Sequence, residues 1–228
     1  MTRGILIAGN ESSLFTAAAA EAVKRVESFA SAPIPNRLSL NEGKGVLPPG
    51  AKTAGAFIPL SWNPSSSISA RTLVLAAENR LGQINDAIVI CSPPAVFRTA
   101  ETLTPEEIEI LVNDHIKGWY YLVRELALYF RRFGSGSLSL VTHEINGENN
   151  GKINSADLLG PSAAAAFRAF ARGILALSAN EPYLVMGFDA AEAGSEAEFA
   201  AWFFKMIDEG SKKNSGRWHR YSKFKLFR

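Results

Sequence analysis

The sequence places a histidine and an acid, two groups suited to proton transfer, side by side. His143 and Glu144 directly follow Ser137–Thr142, an alternating apolar stretch that predicts a strand. If that strand belongs to a parallel sheet, its carboxyl end opens onto the ligand cleft. A neutral imidazole titrates near pH ~6.5, so His143 is a candidate acid or base. The alternative is a polar loop residue without a chemical role.

A second polar pair, Asn113 and His115, falls inside a segment predicted to be one long helix, residues 105–132. Side chains two residues apart on a helix diverge by about 200°. Only one of the two can therefore face a cleft.

Other familiar chemistry lacks its residues in this sequence. Three scattered histidines and the single cysteine, Cys91, give no zinc spacing, so no metal is expected. Neither a G-x-S-x-G elbow nor a G-x-x-x-x-G-K-[ST] phosphate loop occurs. Cys91 has no basic neighbour in sequence, which favours a buried small hydrophobic residue over a reactive thiol.

The elements that must position these residues alternate between strand and helix. Gly9 ends the apolar run Ile5–Ala8, and an alanine-rich helix follows over 15–26. A second strand lies within 26–31 or 36–40, and residues 31–55 otherwise favour a loop. Further strands are predicted at 56–60, 87–91, 137–142 and 183–186, with a last strand or tail at 218–227; helices are predicted at 66–81, 105–132, 161–178 and 196–209. Because several strands are apolar on both faces, the pattern predicts one α/β domain, residues 1–228, with a doubly wound parallel sheet in a three-layer α/β/α sandwich.

The order and spacing of several short motifs point to a family. Asp86–Ile90 is followed by Leu103-Thr104-Pro105-Glu106-Glu107 and then by Val112-Asn113, while Asn63-Pro64-Ser65 precedes the helix that ends Leu81-Gly82. Phe167–Ala176 adds a further helical match. Together these stretches resemble the short-chain dehydrogenase/reductase family across nearly the whole chain. The resemblance implies a Rossmann-like fold, NAD(P) and a serine–tyrosine–lysine proton relay supported by an asparagine.

The cofactor loop of the family is degenerate in this chain. At the T-G-x-x-x-G-x-G position stand Gly9, the only surviving glycine, then Asn10 and Ser13, with Phe15 at a glycine position and Glu11 nearby. The family's N-N-A-G appears as Ile90–Pro93. We therefore expect no NAD(P) binding, or only weak binding, through Gly9, Asn10 and Ser13.

The proton relay is also degenerate. Asn113 matches the supporting asparagine, and the serine position falls on His143, or on Thr142 if the count shifts by one. The tyrosine and lysine positions fall on Gly160 and Ala164, and no Tyr-x-x-x-Lys occurs between Thr142 and Tyr183. Asn113 and His143 remain the candidate catalytic residues, and any residual chemistry should depend on His143 rather than on Tyr183, which is expected at the opposite end of the sheet.

These losses favour a non-catalytic binding or assembly module with the family's fold. The alternative is an atypical NAD(P)-dependent oxidoreductase with a rearranged site, so whether the chain is an enzyme stays open. The family's pairing helices correspond to 105–132 and 161–178, which predicts a homodimer or tetramer.

Charge and composition narrow the partners. The 24 basic and 22 acidic residues give a net charge of +2, too balanced to indicate a nucleic-acid partner. The segment 211–228 is basic and aromatic, which suits either a solvated C-terminal strand, the favoured interpretation, or an anionic partner. No apolar run is long enough to span a membrane, and the N-terminus is unlike a signal peptide. With one cysteine and no possible intrachain disulfide, a cytoplasmic location is expected.

Overall fold

The strands form one parallel sheet, as predicted. The computed structural model describes residues 3–26, 28–35, 56–94, 98–143, 148–149, 152–153, 158–190 and 196–222. Seven strands pair in the order β3-β2-β1-β4-β5-β8-β9, all parallel. Their bounds are β1 Ile5–Asn10, β2 Ser28–Ile34, β3 Ala56–Pro59, β4 Asp86–Cys91, β5 Ser137–His143, β8 Leu184–Ala190 and β9 Arg217–Tyr221.

Helices cover both faces of this sheet. They are α1 Ser13–Val23, α2 Ser67–Leu81, α3 Pro105–Val112, α4 Gly118–Phe133, α5 Leu159–Leu177 and α6 Glu196–Glu209. One hydrophobic cluster joins the sheet to α2, α4 and α5, and a second joins it to α1 and α6. This is the three-layer sandwich predicted from the apolar strands.

The predicted helix 105–132 is interrupted. Thr104 caps α3, with its Oγ1 accepting from Glu107 N and Glu107 Oε2 accepting from Thr104 N. Between α3 and α4, residues Asn113–Lys117 form a π-helical turn. An i→i+5 turn inserts one extra residue, and sequence periodicity does not reveal where.

Other boundaries differ from the predictions at their ends. The second strand lies at Ser28–Ile34. It begins within the first predicted range, 26–31, and continues three residues beyond it. The alternative range, 36–40, lies outside the described residues. A short antiparallel hairpin, β6 Glu148–Asn149 and β7 Lys152–Ile153, follows β5. The last strand is Arg217–Tyr221, while residues 223–228 lie outside the described part of the chain.

Alternation along the strands decides which side chains share a face. Ala8, Val89 and Leu140 belong to the cluster under α4 and α5. Two residues further along each strand, Asn10, Cys91 and Thr142 are therefore placed on that same face at the carboxyl edge.

Candidate functional site

A buried asparagine joins three elements at the carboxyl edge of the sheet. Asn10, the last residue of β1, is 2% exposed. Its Oδ1 accepts a hydrogen bond from the backbone N–H of Ser92, just after β4, at 2.9 Å. Its Nδ2 lies 2.9 Å from Nδ1 of His115 in the π-helical turn. Asn10 thus links the ends of β1 and β4 to the helix above them.

This arrangement fixes the protonation state of His115. Ser92 can only donate through its backbone N–H, so the oxygen of the Asn10 amide must face it and the NH₂ group must face the imidazole. Nδ1 of His115 then accepts, which requires the neutral ring with its proton on Nε2. His115 is 2% exposed and its ring is held in one tautomer.

The inward stripe of the interrupted helix brings His115 to this position. Leu111, His115 and Trp119 follow one another at four-residue spacing and are all buried. The turn ends at Gly118, where an added Cβ would lie 2.6 Å from the Cβ of Pro64. This close approach seats the π-helical turn against the loop that follows β3.

Below His115 lies a cluster built around Cys91. Burial raises the pKa of the Cys91 thiol far above its ordinary value, and the Trp119 side chain and the charge of Arg168 do not offset that effect. Cys91 is therefore a protonated core residue, as the sequence suggested. Arg168 Nη2 on α5 lies 3.9 Å from Oδ2 of Asp189, which is 5% exposed in β8.

Gly9 serves the packing of the sheet. An added Cβ there would lie 2.4 Å from the carbonyl oxygen of Ile90 and 2.7 Å from the Ile90 Cβ. The missing side chain of Gly9 thus makes room for β4.

A serine caps the helix that follows Gly9. Ser12 caps α1, its Oγ accepting from the backbone N–H of Phe15 at 3.1 Å. Ser13 is exposed at the first helical position, and Phe15 is buried in the cluster between the sheet and α6. One N–H of the helix terminus is therefore already bonded, and Phe15 belongs to the core.

The predicted catalytic positions lie on three elements, the π-helical turn, β5 and α5. Asn113 begins the π-helical turn and is half-buried, while His115 is the member of that pair that faces the carboxyl edge. Gly160 is buried and Ala164 half-buried in the first two turns of α5. His143 is the last residue of β5, so its backbone stands at the carboxyl edge; its side chain and Glu144 lie outside what the structure describes. Tyr183 packs against Phe130 at a ring distance of 5.3 Å, at the opposite edge, as predicted.

Sequence reasoning weighed His115 but chose Asn113 of that pair, and it missed Ser92. The signal for His115 was the four-residue spacing from Leu111 to Trp119, which marks a buried stripe. No sequence signal identified Ser92, because it participates through its backbone.

The described residues show neither a metal-binding cluster nor a membrane-spanning helix. Within the described residues, no three His, Cys, Asp or Glu side chains are grouped to hold a metal ion. Among the helices described, none is both long and apolar enough to cross a bilayer.

Comparisons with known proteins identify the fold. No family model and no curated protein matches the sequence. A short-chain dehydrogenase/reductase from Mycobacterium marinum superposes with a TM-score of 0.75 at 13% identity, over 96% of this chain and 92% of that one. L-sorbose reductase from Gluconobacter frateurii, solved with NADPH and L-sorbose, gives a TM-score of 0.70 at 12% identity, over 98% and 97% of the two chains. The NADH-dependent reductase A1-R′, solved with NAD, gives 0.71 at 13% identity, over 96% and 94%.

These structural neighbours extend over nearly the whole chain. A short-chain dehydrogenase from Mycobacterium smegmatis likewise superposes with a TM-score of 0.72 at 14% identity, over 97% of this chain and 93% of that one. The chain therefore has the short-chain dehydrogenase/reductase fold, as its sequence motifs indicated.

Proposed function

We propose that this protein uses the short-chain dehydrogenase/reductase fold as a binding or assembly module and does not transfer hydride. The observation that carries the proposal is the composition of the first two turns of α5. Gly160 and Ala164 occupy the positions where the family resemblance expects a tyrosine and a lysine. Neither residue has a group that can move a proton or hold a ribose.

The residues at the β1–α1 turn support the same proposal because they do not fit a dinucleotide. A nucleotide cradle needs glycines that admit a pyrophosphate and free N–H groups at a helix terminus. Here β4 occupies the space beside Gly9, and Ser12 bonds the N–H of Phe15. Glu11 is exposed at the same turn and would repel a phosphate.

Calorimetric titration with NAD, NADH, NADP and NADPH tests this proposal. We expect no micromolar site for any of the four, with a reductase of known affinity run as the positive control. A tight site for one of them would overturn it.

A second candidate is an oxidoreductase with a rearranged site. The observation that favours it is the imidazole of His115, held neutral at the carboxyl edge by Asn10, between the ends of β1 and β4. A neutral imidazole is suited to donate or accept a proton near neutral pH. This candidate requires cofactor binding, so a negative titration would exclude it.

Assembly is proposed to occur through α3, α4 and α5 of two copies. Ile108 and Val112 on α3, Tyr120 on α4 and Leu177 on α5 are between 42% and 74% exposed. Tyr120 also stacks on Phe170 of α5 at 4.1 Å, which joins the two helices into one apolar face. Small exposed side chains on α5, among them Ala165 and Ala169, allow close approach of a second helix. A two-fold contact would cover this face on both chains with the same residues.

A further inference from the structure

A groove between α2 and α4 carries matched side chains on its two walls. On α2 they are Arg71, Leu75 and Glu78, and on α4 they are Arg124, Leu128 and Arg132. The groove has a volume of about 350 Å³. Each wall has spacings of three or four residues, so each set forms one stripe along its helix.

One ion pair shows which residues of the two stripes lie opposite each other. Nη2 of Arg132 lies 2.8 Å from both carboxylate oxygens of Glu78, which sets these two residues at the same height. Counting back one and two turns brings Leu75 level with Leu128 and Arg71 level with Arg124. The groove therefore has an arginine end, an apolar middle and a closed ion pair at the other end.

Neither arginine at the arginine end pairs across the groove with a residue that the structure describes. Arg71 is exposed and makes no ion pair with any residue that the structure describes. Arg124 is 68% exposed and pairs only with its sequence neighbour Glu125 among those residues. In the middle, Leu75 and Leu128 are 42% and 47% exposed, unusually open for leucines that face one another.

We propose that this groove binds an acidic amphipathic helix of a partner protein. Arg71 and Glu78 are about 10 Å apart along α2, which is two helical turns. A partner helix that lies along the groove would therefore contact the arginine end, the leucine pair and the ion pair. A Glu or Asp on it pairs with Arg71 and Arg124, and an apolar residue one turn further covers Leu75 and Leu128. The Glu78–Arg132 pair is already satisfied and requires no charge from the partner.

The charge of the groove favours an acidic occupant. Its lining has three arginines and two glutamates, and Arg71 and Arg124 stand together at one end. The groove is lined by α2 and α4, and it adjoins the proposed assembly face on α4, because Arg124 lies one turn after Tyr120.

The test uses the full chain and a defined probe. The probe is a fluorescein-labelled, alanine-based peptide of about 18 residues, long enough to be helical, with Glu and Leu four residues apart on one face. Its counterpart has Lys in place of each Glu. Anisotropy titrations are run with the parent, Arg71→Glu, Leu75→Asp and the matched control Arg80→Glu, an exposed arginine on α2 outside the groove.

We expect the acidic peptide to bind the parent and Arg80→Glu equally and to weaken at higher salt. Arg71→Glu should reduce its affinity roughly tenfold and should favour the lysine peptide instead, because like charges now face each other. Leu75→Asp should reduce binding of both peptides. Absence of binding to the parent, equal binding to Arg71→Glu, or a change of oligomeric mass in Arg71→Glu that reveals a second copy in the groove would each overturn the inference.

Discussion

Nδ2 of Asn10 and Nδ1 of His115 lie 2.9 Å apart although 105 residues separate them in the chain. The contact joins the end of the first strand to the interrupted helix, and its geometry depends on the backbone N–H of Ser92. Because both side chains are buried, truncating one leaves the other without its hydrogen-bond partner, and water cannot take that place.

The first prediction follows from that contact. Asn10→Ala and His115→Ala should each lower the free energy of unfolding by about 1–3 kcal/mol, the usual cost of a buried polar group left without its partner. The double variant should cost less than the sum of the two, by about 0.5–3 kcal/mol. Urea unfolding of all four proteins measures this coupling, and strict additivity would contradict the contact.

The second prediction contrasts two glycines. Gly9→Ala should be strongly destabilising, because its Cβ would lie 2.4 Å from a backbone oxygen of Ile90 that cannot move aside. Gly173→Ala should stabilise by about 0.5–1 kcal/mol, since alanine suits a helix interior and nothing lies within 4 Å of the new Cβ. Thermal unfolding compares the two, and a tolerated Gly9→Ala would show that the sheet packs differently at this point.

Much of this fold was predictable, because it depends on apolar periodicity. Strands such as Ile5–Ala8 are apolar on both faces, which only a covered parallel sheet accommodates. The Thr104-Pro105 start of α3 was equally predictable, since capping is local.

The candidate site was less predictable than the fold. A π-helical turn changes which side chains face inward, so His115 rather than Asn113 meets the edge. The close contact of Gly9 with Ile90, more than 80 residues away in the chain, was not predicted. Such contacts depend on tertiary packing, which spacing along the chain does not encode.

The third prediction concerns acid stability. Burial raises the pKa of Glu21, but hydrogen bonds from Lys24 and Arg25 outweigh burial and hold the pKa below its ordinary value of 4.5. A carboxyl whose pKa is lowered by folding stabilises the protein above that value, and this stability is lost as pH falls through the folded pKa.

The parent should therefore lose stability to urea as pH drops below about 4.5, and Glu21→Gln should lose less of it over the same range. Urea midpoints measured from pH 6 to pH 3 give the comparison. Parallel curves for the two proteins would show that Glu21 does not contribute to this transition.

The fourth prediction tests the proposed assembly. The parent, with a chain mass of 24.7 kDa, should scatter light as a species of twice that mass or more. Ala169→Arg places a long charged side chain on the exposed face of α5 and should shift the mass to that of a monomer. Ala20→Arg, at an exposed position of α1 on the other side of the sheet, is the matched control and should remain assembled.

The fifth prediction separates the two candidate functions. If the chain retains proton-transfer chemistry, that chemistry should depend on a histidine at the carboxyl edge, because β5 ends there at His143 and His115 is held neutral beside β1. Tyr183 lies before β8 at the opposite edge, where it packs on Phe130, so it is too far from that edge to take part.

A screen of carbonyl and alcohol substrates with each nicotinamide cofactor is run on the parent, His143→Ala, His115→Ala and Tyr183→Phe. Activity in the parent that falls in either histidine variant and survives in Tyr183→Phe would support the rearranged oxidoreductase. Activity that survives both histidine changes but falls with Tyr183→Phe would contradict the assignment, and an inactive parent that also fails to bind cofactor would support the binding module.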